Sequence, residues 1–254
     1  MIHFSSNQRY VLIGMGAFGL EIARTLQKHG ADFMIILHVE GDNPNKALDD
    51  YFSLDRMRQE GFQHVYETDV TNPNALNRHV KPSDCVVLSH GKDFETKILT
   101  VDALKQIGVK NIYARATRES HARILSEMGV RKVVFPEKQE GKRLGLALLN
   151  QKVKTMDEIA PQVYIIEVPV PDEFVGKSIL EVKVRSRYSV TIICLKETIY
   201  TDEGQPEEVV YTKGFETMIL KTTHSMVIAG EGSSIKELTS MVRASSSEEK
   251  MKWD

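Results

Sequence analysis

Hydrophobic and polar positions follow two different rhythms along this chain. Over residues 9–135, short apolar runs alternate with amphipathic stretches. The runs fall at 10–13, 33–39, 64–67, 85–89, 111–114 and 132–135, each of strand length. The stretches between them carry helical spacing. Phe18, Ile22, Leu26 and His29 share one face, and Gly30 stands where a C-terminal cap belongs. Asn43 and Pro44 open a second helix, followed by Leu48, Tyr51, Phe52 and Asp55, and Asn72 and Pro73 open a short third. A fourth runs over 92–107 and stops at Gly108. A fifth carries His121, Ile124, Leu125 and Met128 and stops at Gly129. This alternation predicts a doubly wound parallel sheet covered on both faces.

The rhythm then changes. Leu144, Leu148, Gln151 and Thr155 recur at helical spacing until Pro161, which predicts one long helix over 137–159. From Gln162 the period becomes two, with Val163 and Ile165, then Val168 and Val170. A turn around Pro171, Asp172 and Gly176 leads to a short helix at 178–182 and a strand at 189–196. A polar loop at 201–208, strands at 218–220 and 226–229 and a last helix at 234–242 complete a small α+β domain. The expected partition is a doubly wound domain at 8–136, a crossover helix at 137–160, the small domain at 161–243 and a flexible polar tail at 244–254.

Composition narrows the function classes. Of 254 residues, 41% are hydrophobic, enough for cores of this size. With 33 basic against 35 acidic residues the formal charge is −2, which argues against a nucleic-acid partner. Met1-Ile2-His3-Phe4 lacks the charged start of a signal peptide. No apolar run approaches the ~20 residues that span a bilayer. A soluble, cytoplasmic protein is expected, reaching a membrane only through a partner. Cys85 and Cys194 lie among Val, Ile and Leu and read as buried strand residues, with no ligand pair at zinc spacing.

The chemistry concentrates after the first strand. Val11-Leu12-Ile13-Gly14-Met15-Gly16-Ala17-Phe18-Gly19 is a Gly-x-Gly-x-x-Gly between a strand and a helix. Gly14 makes the tight turn, Gly16 lets backbone approach a pyrophosphate, and Gly19 lets the helix pack closely. Free N–H groups and the helix dipole, at Ala17 and Phe18, hold the phosphates. The fold class is therefore α/β, a Rossmann-like doubly wound parallel sheet with a second, smaller α+β domain. An acid normally ends the second strand to hold the ribose. Glu40 fills that role slightly late, and His38 stands nearer the expected place without being an acid. Both also read as ordinary strand-end surface residues. Asp69, with Val70 beside it, follows the third strand and meets the base or ribose, or caps the next helix. Ser89, His90 and Gly91 read as lining the cleft at the end of the fourth strand, or as plain loop. Ser89 and His90 are not a nucleophile–base pair, because neighbours on a strand face opposite ways. Arg118, Arg123, Arg131 and Lys132 read mostly as solvated faces, and His121 as surface or interface.

These elements together resemble the KTN/RCK family, regulators of potassium conductance, and most closely its Trk/Ktr-type soluble subunits. The resemblance is carried by the glycine loop, by Thr68-Asp69-Val70-Thr71 and by Phe135-Pro136-Glu137-Lys138. It continues in Phe174-Val175-Gly176-Lys177-Ser178-Ile179-Leu180-Glu181, in residues 185–188 and in 190–195, so that it spans roughly 8–243. It implies an adenine nucleotide in the first domain, ATP or ADP first and NAD(H) as the alternative. Asp69 would contact the adenosine part and Arg115 the phosphates. Glu137 would lie near the nucleotide at a subunit interface where some relatives place a cation. The resemblance further implies dimers building an octameric ring on a membrane potassium-translocating subunit, and cyclic di-AMP in a groove formed by 179–188 and 190–195. Two departures bear on the ligand: many ATP-responsive members carry Arg where this chain has Ala17, and the usual second-strand Asp is missing. The competing classes are a small Rossmann oxidoreductase, for which the second domain offers His224 and no zinc set, and a nucleotide or cyclic-dinucleotide sensor for another cation transporter. A regulatory subunit, not an enzyme, is the leading expectation.

Overall fold

The structure, a computed structural model, describes residues 8–39, 53–90, 93–149, 153–201 and 203–242. The chain divides into two compact units, Met1–Glu137 and Lys138–Asp254. The predicted helix at Asn43 and Pro44, Glu40, Gly91 and the tail at 244–254 lie outside the described residues.

In the first unit the order is β1 (Tyr10–Ile13), α1 (Ala17–Lys28), β2 (Phe33–His38), α2 (Leu54–Gln59), β3 (Val65–Thr68), α3 (Pro73–Leu76), β4 (Cys85–Leu88), α4 (Phe94–Ile107), β5 (Asn111–Arg115), α5 (Glu119–Glu127) and β6 (Lys132–Val134). The six strands form one parallel sheet in the order β3-β2-β1-β4-β5-β6. All six apolar runs of the sequence became these strands. Alternation along β1 shows why the runs are continuous. Val11 and Ile13 join one core with Val86, Leu88, Val101, Leu104 and Leu125, while Leu12 joins another with Ala23, Ile35 and Met57. Val11, Leu12 and Ile13 are fully buried, worth about 1.5–3 kcal/mol apiece. Side chains cap several helices: Ser53 for α2, Asn72 for α3 and Asp93 for α4. Cys85 is half-buried and Cys194 buried, both as free thiols.

The second unit contains α6 (Pro136–Leu149, which begins in the first unit), β7 (Thr155–Ala160), β8 (Val163–Pro169), α7 (Ile179–Val182), α8 (Val184–Tyr188), β9 (Thr191–Tyr200), β10 (Pro206–Tyr211), β11 (His224–Glu231) and α9 (Gly232–Ser240). Five antiparallel strands run β10-β9-β11-β8-β7. Ile166, Val168, Leu195, Met226 and Ile228 line one core with Val182, Val184, Ile235 and Leu238 from the helices. Three expectations are corrected here. The single helix over 137–159 ends at Leu149, and Thr155–Ala160 is an edge strand paired antiparallel with β8. The last three residues of the expected loop at 201–208 belong to β10, which pairs with β9 across a turn at Gly204. The strand expected at 218–220 reduces to an isolated bridge between Ser178 and Ile219. No helix among the described residues is long and apolar enough to cross a membrane.

Candidate functional site

The strand order reverses at β1, so the connections leaving β1 and β4 depart in opposite directions. In open α/β sheets the crevice beyond the carboxyl ends at such a point is where ligands bind. Every described candidate from the sequence lies along that edge. Gly14, Gly16, Ala17, Phe18 and Gly19 follow β1; His38 ends β2; Asp69 and Val70 follow β3; Ser89 and His90 follow β4; Arg115 ends β5.

The glycines divide by cause. Gly14 has φ +78°, and a Cβ on it would stand 2.6 Å from His90 Cβ, so both backbone and packing require glycine. A Cβ on Gly19 would stand 2.5 Å from Ser89 Oγ, which lets α1 press onto the end of β4. Gly16 is different. Its backbone is extended, at φ −167°, and a Cβ there would meet nothing within 4 Å. Neither fold nor packing asks for glycine at this position, and the space beside it is open. Gly16 also caps α1 without a side-chain hydrogen bond, and the first turn carries no acidic residue. The opening N–H groups of α1 thus face the crevice with the favourable end of the helix dipole. Ala17 is exposed and Phe18 partly buried.

The walls are tightly fixed. Ser89 is fully buried and donates to Gly14 O at 2.6 Å, tying β4 to the glycine turn. His90 packs against Gly14, and its Nδ1 lies 3.4 Å from Ile13 O. Burial, with the charge of Lys97 next, pushes the His90 imidazole down to about 4, so the ring is neutral at physiological pH. Its Nε2 is buried without a hydrogen-bond partner among the described residues. Asp69 uses one oxygen, Oδ1, to accept from Thr71 N at 2.9 Å and Thr71 Oγ1 at 2.6 Å. The cap of α3 is Asn72, so Asp69 is released from that role. His38 Nδ1 accepts from Val70 N at 3.4 Å, which orients the ring over the β2–β3 edge. The Val70 side chain is fully buried in the core, so only its backbone reaches the edge.

Arg115 is held at both ends. Its guanidinium pairs with Glu137, with Nη2 on Oε1 and Nε 3.4 Å from Oε2. Burial works against that carboxylate, but its backbone N–H and Arg115 keep Glu137 below the ordinary range. The Arg115 carbonyl accepts from Lys97 Nζ at 2.8 Å. Arg118, Arg123, Arg131 and Lys132 are exposed, as solvated faces should be. His121 stacks on Phe94 with ring centroids 3.7 Å apart. No group of three or more His, Cys, Asp or Glu among the described residues could hold a metal ion.

Sequence reasoning missed Lys97. It is 3% exposed on α4, in line with Phe94, Val101 and Leu104. A lysine on the apolar stripe of a buried helix was the signal available. In the second unit a cavity of about 320 Å³ is lined by Glu173, Phe174, Lys177, Glu181, Val182 and Arg187.

Comparison with known proteins agrees with this geometry. Residues 10–136 match the TrkA-N domain. The chain is 25% identical over 190 residues to the Ktr system potassium uptake protein C of Bacillus subtilis, covering 74% of this chain and 80% of that protein. Among solved structures it is similar to the GsuK RCK domain, with a TM-score of 0.56 at 18% identity, covering 95% of this chain and 49% of that one. It is also similar to the GsuK channel bound to NAD, with a TM-score of 0.53 at 16% identity, covering 95% of this chain and 40% of that one. The chain therefore spans about half the length of those solved chains or less. A glycine turn open to a ligand at the switch point of a six-stranded parallel sheet, matched from first strand to last, places this chain in the TrkA-N domain family.

Proposed function

We propose that this chain is a nucleotide-binding regulatory subunit of a potassium uptake system, gating a membrane potassium-translocating partner from the cytoplasmic side. The observation that carries the nucleotide is Gly16, open to the crevice at the uncapped N-terminus of α1. The potassium system comes from the likeness to the Ktr uptake protein. The ligand is an adenine nucleotide. Gly14, Gly16, Ala17, Phe18 and Gly19 cradle its phosphates and Asp69 its adenosine. His38 flanks the ribose, with Ser89 and His90 along the cleft wall; Glu40 and Gly91 are assigned to the same ligand on their sequence positions alone. ATP and ADP are the first choice. NAD is the second, favoured by the shared fold with a channel described as NAD-bound.

The role is regulatory rather than catalytic: the cleft described has glycine backbone, a neutral histidine and an arginine paired with Glu137, an arrangement suited to holding a ligand. Glu137 contributes to a cation site only with ligands from a second copy. We place the chain in dimers that build a ring of eight. The exposed Leu144, Leu148 and Leu149 of α6 support self-association. Cyclic di-AMP is the ligand proposed for the second unit, where Lys177 and Arg187 border the cavity.

A thermal-shift panel of ATP, ADP, NAD, NADH and cyclic di-AMP tests the ligand. ATP and ADP are expected to shift the melt most, by several degrees at 100 times the dissociation constant, about 2.7 kcal/mol. NADH binding far more tightly than ATP would overturn the ligand, and no shift by any nucleotide would remove the mechanism. Potassium uptake in cells expressing the membrane partner with and without this chain tests the gating role.

A further inference from the structure

We propose that Lys97 is an anion-recognition residue of the nucleotide cleft, supplying from α4 the side-chain cation that the glycine loop lacks. The proposal rests on the nucleotide reading above and names the charge it uses. The ligand class is a phosphate or pyrophosphate ester, as opposed to an uncharged nucleoside.

Three observations carry it. The first is position. The Lys97 ammonium donates to the carbonyl of Arg115, the last residue of β5, at 2.8 Å. The charge therefore stands at the carboxyl edge of the sheet, where the crevice opens. The second is that no counter-ion stands among the described residues. Arg115 is paired with Glu137 and Arg9 with Asp84, but no carboxylate among the described residues pairs with Lys97. An ammonium has three donors, and described residues take one of them. At 3% exposure such a charge is costly to bury unless an anion answers it. The third is His90, whose buried Nε2 has no hydrogen-bond partner among the described residues and whose ring abuts Gly14. It links the surroundings of Lys97 to the glycine turn. On the loop itself, Ala17 brings no side-chain charge to the first turn of α1.

The titration has a definite sign. Burial, then Arg115, pushes Lys97 down to about 8, with Asp93 at the start of α4 opposing. The other charged or titratable groups facing it are His90 from the end of β4 and, through Arg115, Glu137 from α6. A bound phosphate favours the ammonium, so binding takes up a proton above pH 8. Affinity should fall as pH rises through 8.

Calorimetry on the full chain tests this, with ADP, NAD and adenosine at pH 7 and pH 9, on the wild type, Lys97→Met and Lys97→Arg. Losing a hydrogen bond to a charged group predicts an ADP affinity about 10- to 100-fold lower in Lys97→Met. Adenosine binding should be unchanged. Lys97→Arg should restore ADP binding while losing the pH dependence that the wild type shows. Without ligand, Lys97→Met should melt no lower than the wild type, because it removes an unanswered buried charge. Lys97→Met that binds ADP like the wild type overturns the proposal. So does equal loss of ADP and adenosine with a lower melting temperature, which marks a structural clamp on β5. A wild type that binds neither ADP nor NAD overturns the nucleotide reading, and this proposal with it.

Discussion

Substituting the three loop glycines one at a time separates fold from ligand. Gly14→Ala forces a left-handed backbone onto an L side chain, costing about 1–2 kcal/mol. It also places a Cβ 2.6 Å from His90 Cβ, an overpacking of about 1–3 kcal/mol. The sum, roughly 2–5 kcal/mol, is worth about 3 °C of melting temperature per kcal/mol for a unit of this size. Gly19→Ala meets Ser89 Oγ at 2.5 Å and Ser89 Cβ at 3.1 Å. That overpacking is partly offset by about 1 kcal/mol of helix propensity. Gly16→Val meets nothing within 4 Å on an extended backbone, so the ligand-free melt should move by less than about 3 °C. Its binding should collapse instead. A branched side chain at the mouth of α1 separates phosphate from the N–H groups. Two lost hydrogen bonds to a charged ligand, at about 1.5–3 kcal/mol each, weaken binding at least about 100-fold. Differential scanning fluorimetry without ligand and calorimetry with ADP read the two effects. A folded Gly16→Val protein that binds ADP like the wild type would refute the assignment of the loop.

Arg115→Gln should lower ADP affinity about tenfold, read by calorimetry, since a charge-assisted contact is lost. Glu137→Gln should abolish any gain in nucleotide affinity that magnesium gives; an unchanged magnesium response would free Glu137 from the cation role. In the second unit Lys221, then Tyr211 and His224, hold the Glu197 carboxyl down to about 2 against its burial. A depressed acid stabilises fully above about pH 4.5 and loses its contribution as pH falls toward 2. Urea unfolding of Glu197→Gln at pH 7 and pH 3 should therefore show a smaller acid loss than the wild type. Leu148→Glu, on an α6 with no buried residue and Leu148 68% exposed, should lower the mass seen by light scattering.

The parallel sheet was legible because its strands are buried on both faces and so read as unbroken apolar runs. Val11, Leu12 and Ile13 could not be polar in any register. The edges of the second sheet had no such constraint. In β10, Glu207 and Glu208 are exposed, and Glu208 pairs with Lys196 on the neighbouring strand. Charge on an edge strand guards against unwanted pairing, and it is also what made the segment read as loop. The long helix failed for a related reason. Thr155 continued the spacing of Leu144, Leu148 and Gln151 by coincidence, while the pairing of β7 with β8 leaves little trace in a strand of four exposed and two half-buried residues.

At the site, what the backbone does was readable and what a distant side chain does was not. Gly14 is required by conformation and packing and Gly19 by packing, while Gly16 stands open on an extended backbone, so the three mark the turn in sequence. Lys97 lies 81 residues beyond Gly16 and hides among apolar neighbours, so no spacing rule joins them. The same division bears on selectivity. On the proposed reading, main-chain N–H groups and one buried ammonium would recognise negative charge without counting phosphates. A side chain on the loop, which Ala17 does not supply, would be needed to grip a terminal phosphate. ATP and ADP should therefore bind within about tenfold of each other, less than a single charge-assisted arginine contact would impose. A hundredfold preference for ATP in calorimetry would mean that a cation from elsewhere, a neighbouring subunit included, completes the site.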